Sequence, residues 1–254
     1  MTNQRPKTPS SLADLGSLHH RLMRAVVDCA RAPTVAELSR DLALPKSAVR
    51  RRLRDLQSEH GVVLHPKSDE VWMLHPFALA PTHFSIHGLD SAPDFHPADE
   101  LQNTWFTTCA WCSLGAATLL DRDCVIRTRL GAHGEMVEVR CIDGQLQGED
   151  FLVHFPIPMS EAWDNVAFTC STMLLFRHRA DVEAWCHHHG LPLGDLRRLS
   201  QFWPFAQAWY GRHLDPHWRK WTLDEARQLF RRFGLDGPIW QLPEDSPDAA
   251  TQRF

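Results

Sequence analysis

No apolar run in this 254-residue chain approaches the ~20 residues that a bilayer-crossing helix requires, so a membrane is not expected as a partner. The first residues, Met1 to Ser11, are polar and rich in Pro and Ser, without the apolar core of a secretion signal. The cytoplasm is therefore the expected compartment. Cysteine occurs seven times, an odd number, which in a chain of this length reads as reduced thiols and not as a disulfide framework. There is one C-x-x-C, but no second pair to complete a tetrahedral zinc site, and no βαβ surrounding that would make it thioredoxin-like. Hydrophobic content of 43% and charged content of 23% are those of an ordinary globular protein, long enough for one large domain or two modest ones.

What is present centres on Trp105 to Ala116, which holds the C-x-x-C pair Cys109 and Cys112 just before the apolar run Ala116 to Leu120. A thiol near the start of a helix ionises more readily, because the positive end of the helix dipole favours thiolate. Thiolate is the form that attacks and that binds soft metals. The plain alternative is that both are small buried residues, since free cysteine is among the most buried types.

Charge is unevenly placed. Residues 1–60 carry 11 Lys and Arg against 6 Asp and Glu, a net of +5; the remainder carries 16 against 25, a net of −9. The basic segment has the order of a winged helix, from about Leu12 to His75. Apolar residues repeat helically from Leu18 to Ala30, Thr34-Val35-Ala36-Glu37 has the form of a capping box, and Pro45 sits where a first helical residue is expected. A helix over Lys46 to Glu59 carries Arg50, Arg51, Arg52 and Arg54, and Val62–Leu64 and Val71–Leu74 flank a hairpin turn. Four arginines on one helix could meet DNA phosphates; a solvated structural face is the slightly favoured reading, so DNA stays an alternative partner.

Pro76 to Ala98 reads as a linker passing into strands, and His75, His83, His87 and His96 fit no common metal-site spacing and read as scattered surface histidines. Cys124–Leu130, Met136–Ile142 and Phe151–Phe155 alternate as strands of one antiparallel sheet, with a turn at Asp143-Gly144 and the Cys112 helix packed on it. Ser160 caps a short helix with Ala162 and Trp163, and Ala167 to Phe176 places Cys170 at the entrance of an apolar strand. Ala180 to His189 is a helix stopped by Gly190, with His187, His188 and His189 as its basic last turn and not as a metal site. Ten of the 24 Phe, Trp and Tyr lie between Phe202 and Trp240, so this segment must bury itself, and its composition suggests that it covers the pocket and reshapes it for a bulkier ligand. From Gln241 the chain turns polar and is expected to be disordered.

Together these parts resemble the organomercurial (alkylmercury) lyase family over roughly residues 20–190. The best local matches are Ala110-Trp111-Cys112-Ser113-Leu114 and the stretch from Phe168 through Cys170 to Phe176 and Trp185. The resemblance implies an α+β fold. Read with the residues themselves, this gives a winged-helix-like region (12–75) before an antiparallel sheet core flanked by helices (76–190), while the helical extension (191–240) and the tail (241–254) fall outside the family core. The resemblance further implies protonolysis of a carbon–mercury bond, with Cys112 and Cys170 as the thiolate pair that holds the soft metal. The family's aspartate, three residues after the first cysteine, is Gly115 here, which carries no proton. Cys109 is the nearest substitute ligand or donor, and Asp121 and Asp123 are acids only if the fold returns them to the thiols. No cofactor is implied; a soft metal, mercury or copper, is substrate, product or ligand, and the partner is a small organometallic compound. Two other readings remain: a non-catalytic soft-metal binder using Cys109, Cys112 and Cys170, and a winged-helix regulator responding to thiol-reactive ligands.

Overall fold

The computed structural model describes residues 11–89 and 103–243. Helix α1 (Leu12–Cys29) is opened by Ser11, whose hydroxyl takes the Asp14 amide, and buries Leu15, Leu18, Leu22, Met23 and Val26 as one stripe. This cap and Leu15 start the helix earlier than the expected Leu18. Helix α2 (Val35–Asp41) carries the capping box in full, Thr34 and Glu37 each taking the other's amide, an arrangement worth about 1 kcal/mol. Helix α3 (Lys46–Ser58) buries Val49, Leu53 and Leu56, and its Arg50 and Arg54 reach Asp69 at 3.7 and 2.8 Å.

The wing hairpin of β1 (Val63–Leu64) and β2 (Val71–Leu74) continues into the body of the protein. Strands β3 (Phe77–Ala78), β4 (Phe84–Gly88), β5 (Thr104–Thr107), β6 (Cys124–Arg129), β7 (Met136–Ile142) and β8 (Gln145–Gln147) join it in one antiparallel sheet, ordered β1-β2-β3-β5-β4-β6-β7-β8. A cis peptide bond links His75 to Pro76 between β2 and β3. Strand β7 buries Val137, Val139 and Cys141 and exposes Met136, Glu138 and Arg140, the alternation of a half-covered sheet. Asp143 and Gly144 turn the chain into β8 with φ of 51° and 70°, the positive pair that a tight hairpin demands.

Two expectations are corrected. Phe151–Phe155 is not a third strand of that sheet. Strand β9 (Leu152–Phe155) is the centre of a second sheet, between β10 (Leu175–Phe176) and β11 (Asp195–Arg198). It is buried at every residue, so it needs cover on both faces, which a one-sided sheet cannot give. Cys170 is also not at a strand entrance. It lies in helix α5 (Val166–Thr172), where Asn165 caps the Phe168 amide, and the apolar strand is reduced to β10.

The centre of the molecule is helix α4 (Ala110–Leu120), buried at every residue but Thr118. It packs on β3 to β6 on one side and on α7 (Leu199–Tyr210) on the other. Helix α6 (Arg179–His189) stops at Gly190 with φ 65°, and α8 (Leu223–Arg232) is opened by the Thr222–Glu225 capping box. The aromatic extension closes on itself, with Trp209, Phe205, Phe230 and Trp240 in mutual ring contact. No described helix is long and apolar enough to cross a membrane. Residues 90–98 of the expected linker, His96 among them, and residues 244–254 of the expected tail lie outside the described residues.

Candidate metal-binding site

The site is built at the first turn of α4. Cys109 is the N-cap, with extended backbone, and its Sγ accepts the Cys112 amide at 3.2 Å, where a serine or aspartate oxygen usually serves. Cys112 therefore sits at the positive end of the helix, with three donors around its sulfur besides that dipole. The thiols of Cys109 and Cys170 hydrogen-bond to it, and Thr108 donates its hydroxyl at 3.3 Å. The Tyr210 hydroxyl approaches at 3.6 Å. Hydrogen bonds from Cys109 and Cys170 hold Cys112 well below the ordinary thiol range, against the opposing effect of burial.

Its neighbours go the other way. Burial, with the Cys112 charge beside it, keeps Cys109 protonated. For Cys170 the hydrogen bond with Cys109 is a lowering influence, but donation to Cys112 and burial outweigh it, so this thiol is raised. The opposed shifts single out Cys112 as the most readily ionised thiol of the three.

A nitrogen completes it. His75, at the turn between β2 and β3, brings Nε2 within 3.9 Å of Cys170 Sγ, and the ligand atoms of His75, Cys112 and Cys170 all lie within 4.8 Å of one another. Helices α4 and α5 and the wing edge of the large sheet each contribute one. Burial lowers the basicity of His75, the Cys112 thiolate opposes this, and the ring is neutral. The reading of His75 as a scattered surface histidine is overturned, because β2 and β3 turn it inward. His83 and His87 stay apart from the thiols, His87 lying against Ser85 and Thr104.

Gly115 has a physical partner. A Cβ built there would lie 2.2–2.6 Å from three ring carbons of Tyr210, so a side chain and that ring cannot coexist unmoved. Neither proposed acid returns to the thiols. Asp121 is the left-handed C-cap at the far end of α4, about 13 Å of helix from Cys112, and Asp123 accepts the Asp143 amide. Tyr210 itself escaped sequence reasoning. The available signal was that it is the chain's one tyrosine, inside an otherwise apolar aromatic run.

These groups floor a cavity of about 720 Å³, mouth included. Trp209, Tyr210, His213, Trp218, Lys220 and Trp221 from the extension line it, as do Trp163 and Met173. The aromatic tail does cover the pocket.

Residues 90–211 match the alkylmercury lyase family, and residues 20–64 match the IclR helix-turn-helix domain. No curated protein matches the chain. Among solved structures it is similar to the mercury-bound form of MerB2, at 18% identity and a TM-score of 0.57, over 82% of this chain and 98% of that one. The thiols of α4 and α5 all lie inside the segment 90–211 that is similar to the alkylmercury lyase family.

Proposed function

We propose that this protein cleaves the carbon–mercury bond of a small organomercurial by protonolysis, with Cys112 and Cys170 as the thiolate pair and mercury as substrate. The observation that carries the reading is the convergence of His75, Cys112 and Cys170 at the floor of an apolar cavity. Thiolates are soft donors suited to a soft metal.

The proton inventory defines the reaction. Cys112 enters as thiolate and attacks R–Hg–X. Cys170 enters as thiol, and His75 takes its proton as the sulfur closes on mercury. The proton then passes from His75 to the leaving carbon, the carbon–mercury bond breaks, and RH departs. One thiolate, one thiol and R–Hg–X become a bis-thiolate mercury(II), RH and X⁻, with charge conserved. His75 is given the part of general acid and base because Gly115 offers no proton and Tyr210, whose hydroxyl is raised by burial, is the weaker acid.

Phenylmercuric acetate tests this. With excess small thiol to remove the metal, the wild type should release one benzene per mercury consumed, measured in the headspace. Mercury(II) binding at one per chain without benzene would select the non-catalytic metal binder. His75→Gln should lose about 10²- to 10⁴-fold in benzene release, the range for a lost general acid, while still taking up mercury. Unchanged release would remove His75 from the relay.

The helix-turn-helix match supports a second reading, a regulator that docks DNA through α3. The pairing of Arg50 and Arg54 with Asp69 weakens it. Retention on duplex DNA that falls steeply with salt would favour it.

A further inference from the structure

The cavity above the thiols holds more basic nitrogen than cleavage needs. Lys220 Nζ is shut off from solvent, has no hydrogen-bond partner among the described residues, and lies 3.3 Å from the centroid of Trp163. Stacked on the same tryptophan at 4.4 Å is His60, whose Nδ1 is also buried without a partner. Nδ1 of His213 and both ring nitrogens of His19 are in the same condition, and these two side chains are 8% and 1% exposed. All four residues line this cavity, and among the described residues no carboxylate lines it. Glu59, the acid whose charge reaches Lys220, is not among the lining residues.

Unpaired buried donors are costly, and proteins keep few of them. A lysine amine and three imidazoles facing one space, with no acid among the described lining residues, offer donors complementary to an anion. Lys220 carries the marks of that missing partner: burial pulls it well below the usual lysine range, and burial first, with the Lys220 charge behind it, lowers His19, His60 and His213 as well. An entering carboxylate would supply the counter-charge and accept from Nζ and from the imidazole N–H groups.

We infer that the substrate is an organomercurial whose organic group carries an acid of the carboxylate class, held by Lys220 with His60 and His213 while its mercury meets the thiols. This rests on the lyase reading for the mercury end alone, because the acid subsite can be probed with no metal present. Calorimetry with benzoate and with neutral benzamide on the full-length protein is the test. Benzoate should bind saturably, benzamide at least tenfold more weakly, and Lys220→Met should lose benzoate binding at least tenfold, with His213→Gln as a second variant should the first not fold. The preference for 4-(hydroxymercuri)benzoate over phenylmercuric acetate in kcat/KM should fall by a similar factor in Lys220→Met. Equal binding of benzoate and benzamide, or benzoate binding untouched in both variants, would overturn the subsite. Inorganic phosphate binding as tightly as benzoate would also overturn it, by marking a site for a free anion. Benzoate discrimination without any benzene release from phenylmercuric acetate would sink the lyase reading and leave the anion site standing.

Discussion

Replacing Cys112 by serine is expected to abolish hydrocarbon release and to change how mercury capture depends on pH. Serine preserves size and can still accept from Thr108, but its hydroxyl is a hard donor that does not ionise near neutrality, so the soft ligand is gone. In the wild type the helix N-terminus and the Cys109 and Cys170 thiols keep Cys112 ionised well below the usual thiol range. Capture of phenylmercury should then be flat as pH falls from 9 through 7. In Cys112→Ser the remaining ligand is Cys170, a thiol held above its ordinary value, although the variant also removes one of the causes. Capture should be slow and should climb by up to about tenfold per pH unit, following the thiolate fraction. Stopped-flow loss of free phenylmercury, read from pH 6 to 10, separates the two profiles. A flat profile in the variant would show that Cys112 is not the thiolate of the pair.

The sequence made some of this legible and hid the rest for physical reasons. Caps are local, so Thr34–Glu37, Thr222–Glu225 and Gly190 could be read from three or four residues each. Alternation is local too, and β7 keeps the pattern seen in its residues. Strand β9 was misplaced because a run buried on both faces says only that it is covered, not by which sheet. His75 was set aside and Tyr210 missed for a different reason. His75 meets Cys170 across 95 residues and Tyr210 meets Cys112 across 98, and nothing in their local sequence records those contacts. Cys112 and Cys170 were singled out through resemblance to a family, whereas the easier ionisation of Cys112 also follows from its place on α4.

Placing an aspartate at residue 115 should harm the protein unless Tyr210 is removed with it. The new Cβ would meet three Tyr210 ring carbons at 2.2–2.6 Å, and that ring is 4% exposed, wedged between Trp111 and His213 at centroid distances of 6.1 and 4.9 Å. Overpacking of this kind costs about 1–3 kcal/mol, and a carboxylate placed among buried apolar rings adds to it. For a chain of this size a loss of about 3 kcal/mol lowers Tm by roughly 6–12 °C. Tyr210→Ala alone should also destabilise, by about 3–5 kcal/mol, through the cavity it leaves. The double variant should cost less than the two together by at least about 1 kcal/mol, because deleting the ring removes the clash. Urea melts of the four proteins measure that coupling directly. The same double variant places a carboxylate one helical turn from Cys112, so in a His75→Gln background it should recover part of the lost benzene release. Strict additivity of the two single costs would mean that the ring and residue 115 do not compete for one space. The account of why this chain carries glycine there would then fail, independently of whether the thiols bind mercury.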